Sequence, residues 1–130
     1  MPVIFLEVLM FERLDKIMET LLGENGCPWD IKQTHLTLRE NMLEEAQEAV
    51  EAIDSGDMDA LKEELGDVLL QVVFHAKIAE KAGSFKLEDV VDGLCDKLVR
   101  RHTHVFGDEK ALTEEDALRI WQMNKKKELS

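Results

Sequence analysis

Two pairs of carboxylates dominate the chemistry available to this chain. Glu45 and Glu48 stand three residues apart in one stretch, and Glu64 and Asp67 three apart in the next. Residues at that spacing share one face of a helix, so helical stretches would each present two oxygen donors side by side. Four such donors facing one another across a hairpin make a hard site suited to magnesium or manganese. The rival metal site is the di-iron carboxylate bundle, which needs Glu-x-x-His on two helices. Here Glu48 and Asp67 occupy the positions where those histidines would stand, so the pattern favours magnesium over iron. Either Glu64 or Asp67 alone reads equally well as a solvated carboxylate favoured by the dipole at a helix start. Four in two consecutive pairs call for a common explanation.

The elements that must position these acids follow from periodicity. Leu14, Ile17, Met18, Leu21 and Leu22 form a helical stripe over 11–22 that stops before Gly23 and Gly26. The segment from Gly23 to Thr34, with Cys27-Pro28-Trp29-Asp30, is the densest loop signal in the chain. Thr37 and Glu40 suggest a capping box opening a second helix that runs to about Asp54, with Thr34 an alternative start. Ser55-Gly56-Asp57 makes a turn, and a third helix spans Met58 to Lys81 with Asp57 as its N-cap and Gly83 beyond its end. So short a link makes these two helices antiparallel neighbours. A fourth helix is expected from Leu87 to about Val105. A last one begins at Thr113, where Thr-Glu-Glu-Asp supplies a cap and a returning carboxylate, and ends in Lys125-Lys126-Lys127.

On the second helix Leu43, Ala46, Ala49, Val50 and Ile53 share an apolar arc expected to face the core, with Glu40, Gln47, Glu51 and Asp54 opposite. Glu45 and Glu48 fall between the two arcs, and Glu44 points further out. The third helix is apolar on nearly every side, through Val68, Leu69, Leu70, Val72, Val73, Phe74, Ala76, Ile78 and Ala79. Such a helix is expected to be central and buried. Glu64, Asp67, Gln71 and His75 nevertheless line up along one narrow stripe of it. A buried unpaired carboxylate costs several kcal/mol unless it is neutralised, paired or bound to a cation.

The totals agree with one small helical domain spanning 1–130. The chain is 45% apolar and 34% charged, has two prolines and no tyrosine, and is rich in strong helix formers. The expected fold is all-α, a bundle of about four to five helices around a central antiparallel hairpin. A bundle this thin covers the third helix poorly, so self-association is expected to complete it. The formal charge of −12 argues against indiscriminate nucleic-acid binding. Cys27 and Cys95 have no disulfide or zinc spacing and suit a reducing cytoplasm. The apolar run from Met1 to Met10 lacks a basic leader, contains Glu7 and is too short to span a bilayer, so no membrane or secretion signal is expected.

The acidic residues also resemble a known family, the MazG-type all-α nucleoside triphosphate pyrophosphohydrolases, with E-E-x-x-E on one helix and E-x-x-D on the next. In this sequence these are Glu44-Glu45-Ala46-Gln47-Glu48 and Glu64-Leu65-Gly66-Asp67. The likeness extends through Cys27-Pro28-Trp29-Asp30, Gln33-Thr34-His35, the run from Glu63 to Ala76, Arg100-Arg101-His102, Val105-Phe106-Gly107-Asp108 and Trp121. Two departures stand outside the acidic motif: Arg39-Glu40-Asn41 where relatives often carry a proline, and Lys86 in place of an acid. MazG proteins are often tandem, and one such domain is present here.

The resemblance implies that Glu45, Glu48, Glu64 and Asp67 hold Mg2+, with Mn2+ a substitute, and that Glu44 assists or orients a water. It implies cleavage of a nucleoside triphosphate (NTP or dNTP) between the α and β phosphates in nucleotide-pool control, by a dimer or dimer of dimers. Lys97 and Arg101, one turn apart, are assigned to the triphosphate, with Arg100 able to exchange roles with Arg101. Trp121 and Lys125 resemble the family's Trp-x-x-x-Lys phosphate contact. Trp29 could stack on a nucleobase or plug the core, and His35 could touch the nucleotide or be structural. His75 reads better as a core or interface histidine than as a ligand, and neither His102 nor His104 is singled out. The alternative class is a non-catalytic helical dimerisation or nucleotide-sensing module that keeps the acids for structure.

Overall fold

The computed structural model describes residues 3–129 of the chain. In order the helices are α1 (Val3–Leu22), α2 (Pro28–Ile31), α3 (Arg39–Ser55), α4 (Met58–Lys81), α5 (Leu87–Arg101), α6 (Thr103–Phe106) and α7 (Glu114–Glu128). No strand occurs among the described residues, so the all-α expectation holds. Two compact units divide the chain, Met1–Leu87 and Glu88–Ser130. Met1, Pro2 and Ser130 lie outside the described residues, and with them the start of the apolar N-terminal run. No described helix is long and apolar enough to cross a membrane.

The first unit is built on the α3/α4 hairpin, with α1 packed on α4 and α2 on α1. The reversal is local chemistry. Gly56 closes α3 in the left-handed region at φ 75°, which glycine enters without a Cβ penalty, and its N–H bonds the Ile53 carbonyl at 3.2 Å. Asp57 then caps α4, its carboxylate accepting from the Asp59 and Ala60 N–H groups at 3.0 and 3.2 Å. Replacing such a cap with alanine costs about 1 kcal/mol. At the far end Gly83, again at φ 75°, completes a Schellman motif: its N–H bonds Glu80 O at 3.0 Å and the Ser84 N–H bonds Ala79 O at 2.9 Å.

The core of this unit joins α1, the turn before α3 and the second half of α4. Met18, Leu22, Leu38, Val73 and Phe74 are buried together, with Leu14, Leu21, Ile78 and Leu87 packed around them. The loop after α1 folds back on the helix it leaves, the Cys27 N–H bonding Leu21 O at 2.8 Å. A Cβ on Gly26 would meet that same carbonyl oxygen at 2.2 Å, so the close approach requires glycine. Lys81 Nζ holds the Leu22 carbonyl at 2.6 Å, satisfying one of the acceptors orphaned at the end of α1.

Five sequence expectations change. First, α1 begins at Val3, well before Phe11. Second, Thr37 and Glu40 make no capping box: α3 starts at Arg39 with no side-chain cap on Leu38. Thr37 is instead tied into the preceding turn, where Thr34 N–H donates to its hydroxyl at 2.8 Å and that hydroxyl donates to Gln33 Oε1 at 2.8 Å. Third, the expected fourth helix breaks at His102 into α5 and the single turn of α6. Fourth, the apolar arc of α3 does not form the core. Ala49 and Ala52 are buried, whereas Leu43 is 69% exposed and Ala46, Val50 and Ile53 are exposed as well. α3 turns its small residues toward α4, because alanines let two helices approach closely. The expected all-round burial of α4 is also incomplete, since Leu65, Leu69, Leu70 and Val72 remain exposed.

In the second unit α6 packs on α7. Thr113 caps α7 as its sequence suggests, accepting from Asp116 N–H at 3.1 Å, and the returning Asp116 carboxylate accepts from Leu112 N–H at 3.3 Å. Asn124 is buried and its amide donates to Thr103 Oγ1 at 3.0 Å, which pins α7 to the start of α6.

Candidate metal centre

The side of α3 that carries Ala49 and Ala52 also carries Glu45 and Glu48, one turn and less away. Helix α4 meets it with Glu64 and Asp67. Each of the four carboxylates offers one oxygen, and these oxygens all lie within 4.8 Å of one another. Opposite ligands of an octahedral magnesium, each about 2.1 Å from the ion, stand about 4.2 Å apart. Small rotations of half-buried side chains close that difference.

Electrostatics set this cluster apart from an ordinary acidic surface. All four residues are half-buried, and Glu45 Oε2 and Glu64 Oε2 are shut off from solvent with no hydrogen-bond partner. Burial raises the Glu45 carboxyl above its ordinary range, and the neighbouring charges of Glu48, Asp67 and Glu44 raise it further. Glu64 is raised in the same way, by burial first and then by Glu48, Asp67 and Glu45. Among the described residues no lysine or arginine pairs with any of the four. Buried acids crowded together without a basic partner and with orphaned oxygens are what a divalent cation relieves. Glu44 is exposed on the same helix and contributes charge from outside the group.

Elsewhere in the first unit, Trp29 lies on α2 and is 54% exposed, so it is no core plug. His35 stacks on His75 with ring centres 5.0 Å apart, and their Nδ1 atoms meet at 2.7 Å. Sequence spacing identified the stripe of Glu64, Asp67, Gln71 and His75 but could not foresee that His35, forty residues away, would join it.

The cationic candidates belong to the second unit. Lys97 is exposed on α5. Arg100 Nε donates to Glu128 Oε1 at 2.6 Å, and Arg101 grips the same carboxylate through Nη2 at 2.7 Å and Nε at 3.2 Å. Those charge-assisted bonds hold Glu128 down at about pKa 2, Arg101 contributing most, and raise Arg101 in turn. Arg101 and Lys125 both stand over the Trp121 ring, at 5.4 and 5.2 Å from its centre. Glu128 was invisible to motif reasoning, since a carboxylate immediately after a lysine run carries no local signal for partners on another helix.

An all-helical chain whose hairpin gathers four carboxylates defines a class: helical proteins with a carboxylate cluster that could hold a metal ion. The comparisons narrow it. Residues 33–106 match the MazG nucleotide pyrophosphohydrolase domain, and the chain belongs to that family. It is 57% identical over 100 residues to the nucleoside triphosphate pyrophosphohydrolase/pyrophosphatase MazG of Thermotoga maritima, covering 77% of this chain and 39% of that protein. It is 45% identical over 118 residues to the nucleoside triphosphate pyrophosphohydrolase of Escherichia coli K12, covering 90% of this chain and 45% of that one. The chain thus spans less than half the length of either relative. The crystal structure of a mazG-related protein from Thermotoga maritima superposes with a TM-score of 0.72 at 33% identity, covering 88% of this chain and 98% of its own.

Proposed function

We propose that this chain hydrolyses nucleoside triphosphates, NTP or dNTP, to the monophosphate and pyrophosphate, with Glu45, Glu48, Glu64 and Asp67 holding Mg2+ or, as a substitute, Mn2+. The observation that carries it is the convergence of four unpaired carboxylates from two antiparallel helices within 4.8 Å. The names of the relatives support the same reaction. Magnesium in such a site polarises a phosphoryl oxygen and lowers the pKa of a bound water. The four acids orient that chemistry, while Glu44, exposed beside them, accepts a proton from the attacking water or aligns it. A triphosphate needs cations along its length, and Lys97, Arg100, Arg101 and Lys125 of the second unit are the candidates for that role. Trp29 and His35 in the first unit, and Trp121 in the second, are each candidates for a nucleoside contact. Residues 1–130 act as one domain in cytoplasmic nucleotide-pool control, in a house-cleaning or stress role.

A second copy of the chain covers the apolar surface that one copy leaves open, in a dimer or a dimer of dimers. Leu43, Val50 and Ile53 on α3 and Leu65, Leu69 and Val72 on α4 are all exposed, and faces of that size seldom stay wet. Sedimentation of Ile53→Asp against the wild type checks this: the wild type sediments as an oligomer and the variant as a smaller species. Pyrophosphate release measured over a magnesium titration, with ordinary, deoxy and modified NTPs, tests the activity. Release that rises with magnesium is expected, and no release from any NTP at any magnesium level overturns the enzyme in favour of a non-catalytic module.

A further inference from the structure

The polar stripe of α4 continues past the carboxylates. One turn beyond Asp67, Gln71 is only 6% exposed, and its Oε1 is buried without a hydrogen-bond partner. One turn further, His75 Nε2 is also buried and unpartnered. These two groups sit on a helix whose neighbouring positions are filled by Val73, Phe74 and Ala76, all buried. An apolar side chain would fit there without the desolvation cost of an amide left unpaired. Polar atoms retained at that cost are aimed at something that bonds them.

The chemistry of the pair defines the partner. Gln71 Oε1 accepts only. The Nδ1 atoms of His35 and His75 lie 2.7 Å apart, so one of the rings donates its proton to the other. Burial first, and His35 second, hold His75 below the ordinary histidine value, which favours the neutral ring. With His35 as the donor, the proton of His75 sits on Nε2 and makes that atom a donor. An acceptor and a donor one helical turn apart complement a group that both donates and accepts, a hydroxyl. The register fits as well: Gln71 stands four residues, about 6 Å of helix, beyond Asp67. That is the scale separating a nucleotide's α-phosphate from its sugar.

We propose that Gln71 Oε1 and His75 Nε2 form a subsite for the 3′-hydroxyl of the nucleoside triphosphate, with His35 as the positioning residue that sets the His75 tautomer. The subsite rests on the hydrolase reading above. It makes Gln71 a specificity residue for the sugar and leaves the choice of base to other contacts.

Calorimetric binding of a non-hydrolysable α,β-methylene nucleoside triphosphate, and of its 3′-deoxy counterpart, to the full chain in magnesium tests this without turnover. The wild type is expected to bind the 3′-deoxy analogue about tenfold more weakly, as a site built around a hydroxyl should. Gln71→Leu is expected to bring the 3′-hydroxy analogue down to that level and to leave the 3′-deoxy analogue unchanged. Equal binding of both analogues by the wild type overturns the subsite while sparing the hydrolase reading. Binding of neither overturns both. An equal loss for both analogues in Gln71→Leu assigns the amide to packing or to a buried water, and overturns the subsite too. Should Gln71→Leu not fold, the wild-type comparison still decides, and Gln71→Met supplies the second variant.

Discussion

The two ends of α4 treat buried charge in opposite ways. Near its C-terminal end Lys77, with a side chain only 7% exposed, is ringed by Asp15 at 2.5 Å, Glu19 at 3.2 Å and Glu80 at 3.4 Å. Burial alone would depress that ammonium group, but the hydrogen bonds it donates to Asp15 and Glu19 override it and hold Lys77 above its ordinary value. Near the N-terminal end four carboxylates gather with no lysine or arginine among them. One helix thus carries an acidic cluster with its own counter-ion and another without. The first is complete when the chain folds, and the second has the geometry that could take a cation from solution. A cluster of acids is therefore informative about ligands only when its internal cations have been counted.

The largest expected effect lies at the cluster without a lysine. Asp67→Asn or Glu48→Gln should lower pyrophosphate release on the order of a hundredfold or more, since even residues that merely support a metal ligand cost up to that much. Circular dichroism should show the fold intact. The rise in thermal midpoint that magnesium gives the wild type should vanish, because only binding to the folded state produces it. Wild-type turnover in either variant would remove that residue from the metal ligands.

At the other end Lys77→Met should cost about 1 to 3 kcal/mol in urea unfolding, below the full price of breaking a buried pair because the three acids are partly exposed. It should leave the magnesium-induced shift in midpoint unchanged. Loss of that shift would mean that the two ends of α4 form one network.

A smaller effect separates the clusters by pH. Glu45 and Glu64 have folded pKa values above their unfolded ones, so their contribution to stability is fully present below about pH 4.5. It is lost as pH rises through the raised values. Melting in a chelator should therefore fall from pH 4.5 toward neutrality more steeply for the wild type than for Glu48→Gln, which removes a repelling charge. Parallel curves would contradict the crowding of these acids. The smallest effect belongs to the second unit, where Glu128 is depressed to about 2 by Arg101 and Arg100. That contribution is present above the unfolded carboxylate value and fades as pH falls toward 2. Glu128→Gln should lower the melting temperature slightly at neutral pH, and the gap from wild type should close in acid.

Several features were readable before any fold was known because their physics is local. Asp57 and Thr113 cap helices through bonds to N–H groups two or three residues on, and Gly56 and Gly83 take the one backbone region that other residues avoid. The i,i+3 spacing of Glu45 with Glu48 and Glu64 with Asp67 predicted paired donors for the same reason. The capping box of Thr37 failed because Gln33 and Thr34, equally local, offered that hydroxyl better partners.

Tertiary structure decided the rest. Helical periodicity shows that α3 has an apolar arc but not what the arc faces, and the close packing of Ala49 and Ala52 on α4 left Leu43, Val50 and Ile53 outside. Lys77 finds Asp15 and Glu19, His75 finds His35, and Arg100 and Arg101 find Glu128 only when segments distant in sequence meet. The sequence by itself determined the hairpin turn between α3 and α4, the caps of α4 and α7 and which acids share a face, since these follow from bonds and angles within a few residues. Which of those acids receive an internal cation was settled only when the helices packed, because a charge pair belongs to a distance in space and not to a spacing along the chain.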